Sequence, residues 1–165
     1  MADSLTILER PSLGIATIMA RKGIHAAALE PALGFVPDGP QRVDHHGLTL
    51  MGTGPAVWLA ITDAPEADWP ASLEQKLKGL ASISDQSGSY VIFRITGGNA
   101  RALLQRGAFI DLHADQFRQG SAATTVIAHI GVVFWRVDDR TFDIATFRSF
   151  APSLMRWLTA TAASF

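Results

Sequence analysis

Apolar residues recur along this chain at two different periods, and each change of period marks out an element. Leu13 to Ala20, "LGIATIMA", is dense in apolar and β-branched residues and predicts a strand. In "GIHAAALEPALG" Ala and Leu follow at helical spacing. Pro31 is expected to end or bend that helix, because proline lacks the backbone N–H and crowds the preceding turn. "GFVPDGPQRVDHHG" has a Pro-Asp-Gly-Pro centre and predicts a loop. "LTLM" and "AVWLAI" predict two strands joined as a hairpin across Gly52-Thr53-Gly54-Pro55.

Further on, Leu73, Leu77 and Leu80 form an apolar stripe with Glu74, Lys76 and Lys78 away from it, the pattern of an amphipathic helix. "SYVIFRIT" alternates: Tyr90, Ile92, Arg94 and Thr96 share one face of a strand, and Val91, Phe93 and Ile95 share the drier one. "AATTVIAHIGVVFWRV" reads as paired strands, and "RTFDIATF" follows as another across the turn signal Asp138-Asp139-Arg140. In the closing stretch Phe150, Leu154, Trp157, Leu158, Thr161 and Phe165 keep helical spacing, with Met155 and Ala162 widening the apolar surface. The order is strand, helix, two strands, helix, and a similar order returns from about residue 88. The fold class expected is α+β, a mainly antiparallel sheet with packed helices, built as two related halves of one domain over 1–165, divided near 1–80 and 81–165.

Composition narrows the function. Fourteen basic against fifteen acidic side chains give a formal charge of -1, with no Lys/Arg cluster to neutralise a row of phosphates, so nucleic acid is not an expected partner. The chain has no cysteine, which excludes thiolate nucleophiles, cysteine-ligated metals and a cysteinyl flavin link. "MADSLTILERPS" lacks the basic start and apolar core of a secretory signal. The longest apolar run carries His129 and Arg136 and falls short of the roughly 20 residues of a membrane span. A cytoplasmic protein without a membrane contact is expected. Hydrophobic residues make up 48% and charged residues only 18%, against about 25% charged in ordinary soluble domains. That imbalance leaves apolar surface for a partner, with the last helix and its adjoining strands the expected place.

The candidate chemistry reads as structure. "TGGNAR" has neither the G-x-G-x-x-G of a dinucleotide fold nor the Gly-Lys-Ser/Thr of a P-loop. Asn99 is placed to cap a helix buried through Ala100, Leu103 and Leu104, and Gly107 to end it in a left-handed conformation. His45 and His46 beside Asp44 are expected to point apart, and neither they nor Asp111 with His113 have a third ligand at a useful spacing. His129, set in an apolar strand, reads as a hydrogen-bonded histidine rather than a general base. Asp85, Ser87 and Ser89 in "SDQSGS" read as a turn, without the base and oxyanion hole that a nucleophilic serine needs. Trp58, Trp69, Trp135 and Trp157 read as core or interface anchors. Catalytic, cofactor-binding and metal-binding residues are each expected to be none.

"GGNARALLQRGAFIDLH" and "FRQGSAATTVIAHIGVVFWRVDDRTFDIATFRSFAPSLMRWL" carry a resemblance. The ordered elements at Gly107 to His113, Val132 to Arg136, Phe142, Arg148 to Ala151 and Trp157 resemble the γ subunit family of heterotetrameric sarcosine oxidase. Gly54-Pro55-Ala56-Val57-Trp58-Leu59 matches a further family element without its acidic residue. More distantly, "SDQSGSYVIFRITGGNARALLQR" is similar to the folate-binding aminomethyltransferase of the glycine cleavage system. That family carries a catalytic carboxylate on a strand region that here, from Thr124 to Val137, contains no Asp or Glu.

The resemblance implies a non-catalytic scaffold in a complex that oxidatively demethylates sarcosine to glycine. Its FAD, FMN, NAD and tetrahydrofolate would sit on other subunits, and its partners would be larger α and β flavoprotein subunits and a small δ subunit. The alternative it leaves is a self-sufficient folate-binding one-carbon transfer protein.

Overall fold

In the computed structural model, which describes residues 5–165, the chain opens on β1 (Thr6–Glu9). Ser12–Gly88 then forms one compact unit from β2 (Gly14–Ala20), α1 (Ala26–Leu33), β3 (Arg42–His45), β4 (Leu48–Gly54), β5 (Val57–Thr62), α2 (Trp69–Lys76) and β6 (Ala81–Asp85). The second unit takes β7 (Tyr90–Thr96), α3 (Ala100–Gln105), β8 (Ala122–Ile127), β9 (Ile130–Arg136), β10 (Thr141–Phe147) and α4 (Ala151–Ala162), together with the residues up to Pro11.

Each unit is built on a five-stranded antiparallel sheet, ordered β3-β4-β5-β2-β6 in the first and β8-β9-β10-β7-β1 in the second. The two orders are the same. β7 stands where β2 does, β10 where β5 does, and the two helices of each unit fall at matching points in the connections. One strand breaks the sequential pattern: the place that β6 takes after α2 is filled in the second unit by β1, from the other end of the chain. This is the α+β architecture of two related halves that the alternation of periods predicts.

Each sheet buries one face under its helices. In the first unit Ala16, Ile18, Leu50, Trp58 and Ala60 meet Ala26, Leu29 and Leu33 of α1 and Leu73 of α2. In the second, Val91, Phe93, Ile95, Val132, Phe134, Phe142 and Ile144 meet Ala100, Leu103 and Leu104 of α3 and Leu154 and Leu158 of α4. Each Val, Leu, Ile or Phe among them contributes about 1.5–3 kcal/mol on burial. The drier face expected for β7 is therefore the helix-covered one. Trp58 is fixed further by its Nε1–H, which donates to the Pro37 carbonyl at 2.7 Å.

Several expectations are corrected at the level of turns. Pro31 lies inside α1, and the helix continues to Leu33 before stopping at Gly34, whose N–H reaches the Glu30 carbonyl at 2.8 Å. A helix of eight residues loses little to one missing bond when the proline ring faces outward, as it does here. The loop expected through residue 47 contains β3, closed onto β4 by a two-residue turn in which His46 and Gly47 both have positive φ. The hairpin of β4 and β5 turns at Pro55-Ala56, so Gly52 stays within β4. There it faces the backbone of Gly39, and a Cβ on residue 52 would sit 1.9 Å from the Gly39 carbonyl oxygen.

Gly52→Ala is expected to cost about 2 kcal/mol or more through this overlap, lowering the melting temperature by roughly 4–8 °C. Gly54→Ala, whose Cβ meets open space, is expected to leave it within about 2 °C. Thermal denaturation of the two variants checks the contrast, and equal melting temperatures would contradict the packing described.

Candidate functional site

The most deeply buried charge in the second unit is Asp143, in the middle of β10. Its register partner on β7 is Arg94. The Arg94 guanidinium donates from Nε to Oδ1 at 2.8 Å and from Nη2 to Oδ2 at 2.8 Å, the two-pronged geometry that planar arginine favours. A second guanidinium, from Arg10 just beyond β1, donates from Nη1 to Oδ2 at 2.9 Å. The backbone N–H of Arg10 is held by the Ile92 carbonyl at 2.8 Å, so its side chain leaves β1 at a fixed place. The Asp143 side chain is 1% exposed, against 18% for Arg10 and 39% for Arg94. A carboxylate that accepts three charged hydrogen bonds is a brace across three strands.

Arg136 at the end of β9 plays a similar part. Buried, it donates to the carbonyls of Phe117 (Nη1, 2.9 Å) and Asp138 (Nε, 3.1 Å) and to the Asp139 carboxylate (Nη2, 2.7 Å). It thereby ties the segment before β8 to the β9–β10 turn.

The side chains singled out in the sequence are dispersed. His45 and His46 do not point apart: their rings lie edge to face, 4.2 Å between centres, because the positive φ of His46 turns it back toward its neighbour. Asp44 pairs with Arg42 and accepts from Thr49 Oγ1 at 2.5 Å. Asp111 Oδ1 accepts from the N–H of His113 at 2.8 Å, a local turn. His129 lies in the β8–β9 turn rather than in a strand, next to Phe109 at 5.8 Å between ring centres. Among the described residues no three His, Asp or Glu side chains are grouped to hold a metal.

Ser87 is engaged by the backbone of Ile15, its Oγ accepting from the N–H at 3.0 Å and donating to the carbonyl at 3.3 Å. Asp85 Oδ1 accepts from the Ser87 N–H at 3.0 Å, and that bond, helped by the Ser87 hydroxyl, holds the Asp85 carboxyl below its ordinary value of 3.8. Asn99 stands at the start of α3 without a side-chain cap bond, and the glycine that the turn requires is Gly97, at φ 138°. Gly107 is not left-handed. It is small because Trp157 lies against it, with a Cβ there placed 2.5 Å from Trp157 Cζ2.

The first unit carries a cleft of about 620 Å³ between the end of α1, the β3–β4 turn and α2. Leu33, Leu48, Leu73 and Trp69 line its apolar part, with Glu30, His45, His46 and Lys76 among its polar groups.

The profile of the "Sarcosine oxidase, gamma subunit family" matches residues 20–164. The sarcosine oxidase subunit gamma of Corynebacterium sp. (strain P-1) is 29% identical over 119 residues, which cover 68% of this chain and 55% of that protein. The chain thus spans about half the length of that relative. Among solved structures, the heterotetrameric sarcosine oxidase of Corynebacterium sp. U-96 superposes with a TM-score of 0.88 at 24% identity, over 98% of this chain and 85% of the other. Aminomethyltransferase T of the glycine cleavage system from Bartonella henselae superposes with a TM-score of 0.70 at 14% identity, over 95% of this chain and 46% of the other. Both are likenesses of fold.

Asp143→Ala leaves two guanidiniums facing each other. With Arg94 partly in water the cost is expected near the lower end for a broken buried pair, about 3 kcal/mol, or roughly 6–12 °C in melting temperature. An unchanged melting temperature would show that the cluster does not brace the sheet. Asp85 gives a pH signature. Because folding lowers its pKa, its contribution is present above the unfolded value and is lost as pH falls through the folded one. The melting temperatures of wild type and Asp85→Asn are therefore expected to differ most above about pH 4 and to converge in stronger acid.

Proposed function

The chain belongs to the sarcosine oxidase, gamma subunit family, and from that membership we infer that it serves as the non-catalytic γ-type subunit of a heterotetrameric sarcosine oxidase. In this reading the residues 1–165 act as one γ-like domain, a scaffold in a complex that oxidatively demethylates sarcosine to glycine in the cytoplasm. FAD, FMN, NAD and the tetrahydrofolate site belong to larger α and β subunits, and a small δ subunit completes the assembly.

The observation that carries the reading is the family match across nearly the whole chain. The chemistry of the buried groups supports it. Asp143 is held by two arginines, Arg136 by two carbonyls and a carboxylate, and the Ser87 hydroxyl by a backbone pair. Each is committed to the fold. No helix among the described residues is long and apolar enough to cross a membrane.

On gel filtration the chain is expected to co-elute with the α and β subunits when co-expressed with them, and the purified chain alone to produce no peroxide from sarcosine. Separate elution, or sarcosine-dependent peroxide from the chain by itself, would refute the assignment.

A further inference from the structure

The two units present helix layers of the same topology with different surface chemistry. In the first, α1 carries Glu30 and α2 Glu74 and Lys76, with Lys78 two residues beyond it, a mixture of signs typical of a solvated surface. In the second, the only charged side chain of α3 is Arg101 and the only one of α4 is Arg156, with Arg106 directly after α3. All three are exposed, and the two helices contain no carboxylate. Every basic residue after Lys78 is an arginine. Arginine together with large aromatics, and a shortage of Lys, Glu and Asp, is the composition of interface centres.

The aromatics are present on the same layer. Phe150 is 50% exposed and stands seven residues before Trp157, two turns along one flank of α4. Trp157 abuts Gly107, and Arg106 lies over the Phe165 ring at 4.3 Å from its centre. The β8–β9 turn joins this surface through the Ala128 N–H, which donates to the Gly107 carbonyl at 3.0 Å. That turn is strained: Ala128 at φ 51° and His129 at φ 66° both occupy the left-handed region, at about 1–2 kcal/mol each. It holds His129 against Phe109, which is 67% exposed.

We propose that the α3–α4 layer with the β8–β9 turn is the face through which the chain docks, and that its occupant is an acidic, aliphatic-rich surface of a larger subunit of the complex inferred above. Charge complementarity selects the occupant. Cations unbalanced by any carboxylate on the two helices, set around exposed phenylalanines, fit carboxylates ringing apolar side chains. Three separated arginines on a chain of formal charge -1 make a weak phosphate track, which argues against a nucleic acid. The proposal rests on the subunit reading and adds the face and the chemistry of its partner.

The test measures binding of the full chain to co-expressed α and β subunits. Arg101→Glu with Arg156→Glu is expected to weaken association at least tenfold at about 0.15 M salt, and the wild-type affinity to fall as salt is raised. Phe109→Ala is expected to weaken it by a similar factor with little dependence on salt. Lys76→Glu with Lys78→Glu, the same change of charge on the matching layer of the first unit, is expected to stay within twofold of wild type. Circular dichroism confirms that each variant is folded. Equal effects of the two double variants would overturn the face. So would wild-type self-association or oligonucleotide binding that the Arg101/Arg156 variant abolishes, because the occupant would then be a second copy or a nucleic acid. Wild type that binds neither subunit overturns the subunit reading itself, an outcome distinct from a misplaced face.

Discussion

The second unit depends on one carboxylate. Asp143 sits in the middle of a sheet strand where water does not reach, and such a charge persists only when hydrogen-bonded countercharges surround it. Arg94 supplies two bonds from the adjacent strand and Arg10 a third from the segment beyond β1. The pairing makes β1 more than a four-residue edge. A short edge strand alone gains little, but one whose following residue neutralises a buried acid is fixed in register and position. The sheet order β8-β9-β10-β7-β1 thus holds together through a contact between residues 133 positions apart.

That long-range contact explains how the second unit completes the plan of the first. In Ser12–Gly88 the fifth strand follows α2 directly and pairs with β2. After α4 the described chain ends within three residues, and the same place beside β7 is filled from the opposite terminus. The topology is conserved between the units while the identity of the fifth strand is exchanged. Their helix layers differ in chemistry as well, one mixed in charge and the other with arginine as its only charged side chain. A repeated framework can divide roles in this way because strand pairing fixes the architecture and the exposed helix faces are left to vary.

Long alternating or helical runs were legible in the sequence, and short or tertiary features were not. β7 shows its period over seven residues, and α4 shows its stripe over twelve. β1, β3 and β6 span four, four and five residues with polar side chains at outward positions, too few apolar repeats to register as strands. Of the site, Arg94 could be assigned to a face of its strand, but its partner lies 49 residues away and emerges only from the register of β7 with β10. Asp143 lies six residues beyond Val137, outside the strand region from Thr124 that lacks an acid. Gly107 carried the right residue type for a helix stop, yet the pressure on it comes from Trp157, fifty positions on. The His45–His46 contact required the φ of His46, a property of the turn that adjacency in sequence does not convey.

The placement of strain and exposure separates the two kinds of residue in this molecule. The buried charges Asp143 and Arg136 are satisfied at close to ideal distances, which is what stability requires of them. Other costs lie at the surface, among them two consecutive non-glycine residues in the left-handed region at Ala128 and His129 and the exposed rings of Phe109 and Phe150. The turn gains the closure of the β8–β9 hairpin in return for its strain, since two left-handed residues match the twist of paired strands, whereas an exposed ring contributes little burial. Such features persist in a marginally stable protein when something outside the chain compensates for them. In the docking proposed, the partner buries these rings, so an exposure that is unfavourable for the isolated chain becomes favourable for an assembled one.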